Sequence, residues 1–150
     1  VITQRTKYDK NYTIREYKEF VDGKLIILTR YNKNGLITLV QFEDKTWNKG
    51  YYNKHGLVST FKDSEGWFSK YTYHKSNLQQ KKYINSKGVI KIQDKHGRIT
   101  YQRFISGEWY KAKYDDVLNL VHCSWSNMMP ETRPCTPVEN HLISAMLNDV

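Results

Sequence analysis

Between Trp67 and Lys113 the chain carries eleven basic residues and two acidic ones, Asp94 and Glu108, a net charge of +9; the remainder has thirteen of each sign and is neutral. Within that block the cations Lys70, Lys81, Lys82, Arg98, Arg103, Lys111 and Lys113 alternate with rings, among them Trp67, Tyr71 and Tyr73. Ammonium and guanidinium groups neutralise phosphate, and flat rings give bases a surface to stack on, so this mixture has the chemistry of a nucleic-acid binder. These ten residues are the candidate partner-binding set. A plainer reading competes: Lys on a two-faced sheet keeps a Tyr-rich repeat soluble and discourages edge pairing, and rings that recur with a repeat pack first of all.

Other residue types could do different chemistry. His74, His96 and Glu108 lie in the basic block and could cut a phosphodiester by general acid–base catalysis, which needs two groups of suitable pKa near the phosphate. Yet Lys54-His55-Gly56 and Lys95-His96-Gly97 repeat one another, and turn formation explains a copied His better than catalysis does. No Ser/His/Asp arrangement, Gly-rich phosphate loop or His-x-x-x-His pair is legible, so the sequence assigns no catalytic residue, no metal site and no cofactor. Cys123, Cys135, His122 and His141 have intervals matching none of the usual zinc spacings, and the cysteines read as small buried side chains. Two cysteines in 150 residues are no disulfide framework, although Cys123 and Cys135 could pair; the expected location is a reducing one, the cytoplasm. No apolar run approaches the roughly 18 residues of a membrane span, so no membrane partner is expected. The start, Val1-Ile2-Thr3-Gln4-Arg5, carries no signal pattern and no Met, as a fragment or a processed form would.

The elements that must position these groups are set by a repeat. Tyr31, Tyr52 and Tyr73 stand 21 residues apart and Tyr114 falls close to two further periods on. Each copy reads as Tyr, a polar turn and an apolar pair: Tyr31-Asn32-Lys33-Asn34-Gly35, Tyr52-Asn53-Lys54-His55-Gly56, Tyr73-His74-Lys75-Ser76-Asn77 and Gln93-Asp94-Lys95-His96-Gly97. Gly, or Asn77 in its place, can take positive φ, and the Asn or Asp after the Tyr can bond its own turn. A second series of turns lies midway, at Asp22-Gly23, Asp44-Lys45, Glu65-Gly66, Lys87-Gly88 and Ser106-Gly107. Strand, turn and strand therefore fill each period. The expected fold is all-β: an antiparallel meander of hairpin repeats of about 21 residues, its sheet twisted or curled, over residues 1–121. The 14% aromatic content suits strands. The copy around Tyr8-Asp9-Lys10-Asn11 is degenerate, as a capping repeat would be. Residues 122–150 form a tail of the same domain, where Thr136-Pro137-Val138-Glu139 is a capping box that predicts a short α-helix.

The unit resembles the YD repeats of Rhs-type and related bacterial and phage proteins, of the form G-x-Y-x-Y-D-x-x-G-R-L-T. Asp94-Lys95-His96-Gly97-Arg98-Ile99-Thr100 is similar to its second half, Gly66-Trp67-Phe68-Ser69-Lys70-Tyr71-Thr72-Tyr73 to its first, and Tyr114-Asp115 is a literal Tyr-Asp. The likeness covers about residues 22–116. Tyr-Asn and Tyr-His replace Tyr-Asp in several copies. Simpler Tyr-x-x-x-Gly-x-Leu hairpin repeats fit nearly as well. Both are scaffolds, so the resemblance implies structure and interaction and carries over no catalytic residue.

Together these readings predict a non-enzymatic intracellular module whose 67–113 face engages nucleic acid or an acidic or nucleoprotein partner, for instance as an inhibitor of a nucleic-acid machine. A glycan- or cell-wall-binding module using exposed Trp and Tyr is the alternative, and an assembly scaffold joining through its sheet edges, as an oligomer, is a third.

Overall fold

The computed structural model describes residues 1–117 and 119–126. Within them the chain is an antiparallel meander of twelve strands: β1 Ile2–Tyr8, β2 Ile14–Val21, β3 Lys24–Tyr31, β4 Ile37–Phe42, β5 Trp47–Tyr52, β6 Val58–Asp63, β7 Phe68–Tyr73, β8 Gln80–Asn85, β9 Ile90–Gln93, β10 Ile99–Arg103, β11 Trp109–Tyr114 and β12 Leu120–Trp125. Two compact units divide at the end of β7, one of residues 1–72 and one from Tyr73 on. In each, a strand pairs with the one before it. Strand β12 runs four residues into the tail. The helix predicted after Thr136 lies outside the described residues, as does Cys135.

The turns after Tyr31, Tyr52 and Gln93 have the chemistry their composition requires. The Oδ1 of Asn32 accepts from the amides of Asn34 and Leu36 at 2.9 and 3.0 Å, that of Asn53 from His55 and Leu57 at 2.9 and 3.1 Å, and that of Asp94 from His96 and Arg98 at 2.9 and 3.1 Å. Gly35, Gly56 and Gly97 then take positive φ of 77°, 78° and 81°. Asp9 builds the same turn with Asn11 and Thr13, so the degenerate first copy is regular in geometry, with Tyr12 at φ 58° in the glycine slot.

The third copy departs from expectation. Asn77 does not take the glycine role; Leu78 does, at φ 59°. His74 cannot supply the short side-chain oxygen of Asn, and the loop lengthens by one residue, closing through His74 N–H to the Gln79 carbonyl and Leu78 N–H to the His74 carbonyl. Asn77 instead accepts from the Gln79 amide and donates to the Lys95 carbonyl.

Three contacts recur 62 residues apart, about three periods. The amide of Trp47 donates to Ser64 Oγ at 3.1 Å, and that of Trp109 to Ser126 Oγ at 2.9 Å. The hydroxyl of Tyr52 donates to the Ile37 carbonyl at 2.6 Å, and that of Tyr114 to the Ile99 carbonyl at 3.1 Å. Lys49 lies over the Trp47 ring at 4.5 Å, and Lys111 over Trp109 at 4.8 Å. Tyr52 and Tyr114 are thus clasps reaching back to the start of the previous hairpin's return strand. Gly50 leaves room for one clasp, since a Cβ there would sit 3.2 Å from both the Tyr52 hydroxyl and the Ile37 carbonyl oxygen.

Burial is concentrated in a few side chains. In the first unit Leu28 and Thr29 are neighbours in β3, pointing to opposite faces. In the second, Tyr110 is 1% exposed, its ring tilted against Trp125 with centroids 4.8 Å apart, and Trp125 stacks on Phe104 at 6.1 Å. Asn85, Gln102 and Cys123 are buried as well.

Candidate polyanion-binding face

Directly opposed residues of an antiparallel pair project to the same side, so the register sorts the basic block. In the second unit Lys82 faces Ile92, Ile92 faces Tyr101, and Tyr101 faces Lys111; beside this row, Ile84 faces Ile90, Ile90 faces Arg103, and Arg103 faces Trp109. Lys113 follows Lys111 on the same side of β11, opposite His122. One face therefore carries Lys82, Arg103, Lys111 and Lys113 with the rings of Tyr101 and Trp109. Arg103, Lys111 and Lys113 are exposed. Strands β8 to β12 contain no Asp or Glu, and none of these four cations makes an ion pair among the described residues.

The opposite face of the same strands is the covered one. Tyr83 faces Lys91, Lys91 faces Gln102, Gln102 faces Tyr110, and Tyr110 faces Trp125. Burial pushes the Lys91 ammonium below its ordinary pKa.

The remaining predicted residues fall elsewhere. Lys81 precedes Lys82 in β8 and points to the Lys91 side. Arg98 is a structural cation: its guanidinium meets Asp94 Oδ2 through Nε at 2.7 Å and Nη2 at 2.6 Å, and its centre lies 4.4 Å above the Tyr114 ring. Burial alone would raise the Asp94 pKa. The Arg98 guanidinium and the amides of His96 and Arg98 outweigh it and hold the carboxyl below its usual range. Tyr114 is pushed up, chiefly by burial. Trp67 closes the turn begun by Asp63, whose Oδ1 accepts its amide at 2.9 Å. In β7, Lys70 is exposed on the side of Phe68, its ammonium 5.8 Å from that ring's centroid. Tyr71 and Tyr73 alternate with it to the other side, where Ser69 Oγ donates to the Tyr71 hydroxyl at 3.2 Å. The candidate set from the sequence thus includes the four cations on the second unit's face, while its rings, Tyr101 and Trp109, are counted among the interleaved aromatics of the basic block but left out of the set. Alternation counted outward from Lys111 is the signal that finds them.

His74 and His96 each serve a turn. The Nε2 of His74 is 2.8 Å from the Gln93 carbonyl oxygen, and the amide of His96 donates to Asp94. Glu108 bonds Ser106 in the turn before β11. No group of three His, Cys, Asp or Glu that could hold a metal ion occurs among the described residues.

No family model matches the chain. No curated protein matches it either. Among solved structures it is similar to a mutant Tc holotoxin pore of Photorhabdus luminescens, at 13% identity and a TM-score of 0.50 over 83% of this chain and 8% of that one. The TcdB2-TccC3-TEV crystal structure aligns with the same identity and coverage at a TM-score of 0.49. The chain spans only about 8% of the length of the proteins it matches. At this identity the first match shows a likeness of fold alone.

Proposed function

We propose that the face of β8 to β11 bearing Lys82, Tyr101, Arg103, Trp109, Lys111 and Lys113 binds single-stranded nucleic acid. The observation that supports this reading is the absence of any carboxylate from the strands of that unit, which leaves four cations on one side without ion-pair partners among the described residues. Strands about 4.8 Å apart hold these cations and the two rings on one side of the sheet, where phosphates meet ammonium and guanidinium groups while bases lie on Tyr101 and Trp109. Lys111 already rests on Trp109, so a base arriving on that ring displaces or sandwiches a cation that is itself drawn to phosphate.

The test is fluorescence anisotropy with a labelled oligothymidine across a range of salt. Neutralising about four phosphates predicts a slope of log affinity against log salt of about −3. Reversing Lys82, Arg103, Lys111 and Lys113 to Glu abolishes the binding while the variant keeps its circular dichroism. Unaltered affinity in that variant, or affinity indifferent to salt, contradicts the proposal; the second result is what stacking of a neutral glycan would give.

A further inference from the structure

A second set of cations converges in the first unit, far in sequence from the basic block. Arg30 faces Leu39 and Leu39 faces Lys49, so Arg30 and Lys49 stand on one side of the sheet two strands apart, about 10 Å. The hairpins that close β3 to β4 and β5 to β6 lie at the same end of these strands and present Lys33 and Lys54, the same slot in consecutive copies. All four cations line one groove of about 820 Å³, and no acidic residue lines it.

The groove also offers uncharged donors. Asn32 and Asn53 spend their Oδ1 atoms on the turns, while their Nδ2 groups make no hydrogen bond among the described residues. Tyr51 borders the groove and is 49% exposed, its hydroxyl likewise unused. Among the described residues only Arg30 of the four has a counter-charge: Glu16, 3.2 Å away, which Lys7 and Lys18 share. Lys33, Lys49 and Lys54 form no ion pair among the described residues.

We infer that this groove is a binding site for a compact oligophosphate, such as the triphosphate of a nucleotide. A single phosphate would not reach cations spread over about 10 Å, a chain of phosphates does, and the volume falls within the range of small-molecule sites. Tyr51 stands where a base or sugar attached to such a chain would lie. The site is independent of the β8 to β11 face and uses none of its residues.

Calorimetric titration of the whole chain with tripolyphosphate, ATP and adenosine tests it. Tripolyphosphate and ATP bind saturably and adenosine does not. The Lys33→Glu/Lys54→Glu variant, altered at two exposed turn tips where folding is undisturbed, loses at least tenfold in affinity for both, whereas Lys111→Glu loses none. The same double variant keeps its affinity for oligothymidine, so this site and the nucleic-acid face stand or fail separately. Absence of saturable tripolyphosphate binding, equal binding of adenosine and ATP, or an equal loss in Lys111→Glu overturns the inference.

Discussion

Asp94 closes a hairpin with one oxygen and fixes the direction of Arg98 with the other. Removing it in Asp94→Ala leaves the Arg98 guanidinium without its counter-charge and the His96 and Arg98 amides without their acceptor, a loss of about 2 kcal/mol measurable by denaturant unfolding. Asp94→Asn keeps the turn, as Asn32 and Asn53 do in earlier copies, but loses the charge. The Asp94 pKa is lower folded than unfolded, so its contribution is complete above the ordinary carboxylate range and disappears as pH falls through the lowered value. The stability gap between wild type and Asp94→Asn is therefore widest near neutral pH and closes in acid. Tyr52→Phe removes the clasp to the Ile37 carbonyl and costs about 1 kcal/mol; Gly50→Ala crowds the same hydroxyl and lowers the melting temperature in the same direction. The sequence reading placed Arg98 in the binding set because composition counts charges without their partners. The ion pair itself was legible, as Asp94 and Arg98 are four residues apart across one turn.

Strands and turns were the most legible level. Tyr followed by Asn or Asp, with Gly three residues further on, dictates a side-chain oxygen acceptor and a left-handed residue, and the hairpins at Asn32, Asn53 and Asp94 have both. The third copy was misread because its His74 changes the loop length, a consequence of side-chain reach that a fixed period hides. Leu78 now bears a left-handed conformation that costs a side-chain-bearing residue roughly 1–2 kcal/mol. Leu78→Gly removes that strain, so it raises the unfolding free energy by about 1 kcal/mol where glycine in a strand would lower it. A lower melting temperature for Leu78→Gly would show that the Leu78 side chain, 39% exposed, holds the loop by packing instead.

Across the whole chain, the meander sorts charge that the sequence leaves mixed. Successive hairpins point to opposite ends of the strands, so Lys10, Lys33 and Lys54 fall at one end of the first unit with one acid, Asp9, among their turns, and Asp22, Glu43, Asp44 and Glu65 fall at the other with one cation, Lys45. Residues 1–66 carry twelve basic and eight acidic residues and counted as neutral only when pooled with residues 114–150, which carry one basic and five acidic; linear charge counting missed the groove for that reason. The basic block was visible in the sequence, but which of its members share a side depends on register and on the bulges between Ile99 and Tyr101 and between Lys113 and Tyr114. The claim that most depends on this sorting is that nucleic acid meets one face of β8 to β11. Lysine acylation followed by mass spectrometry, with and without oligothymidine, reads it residue by residue. Protection of Lys82, Lys111 and Lys113 with Lys81 and Lys91 unchanged is the predicted result; protection spread equally over both sides of β8, or none at all, would contradict it.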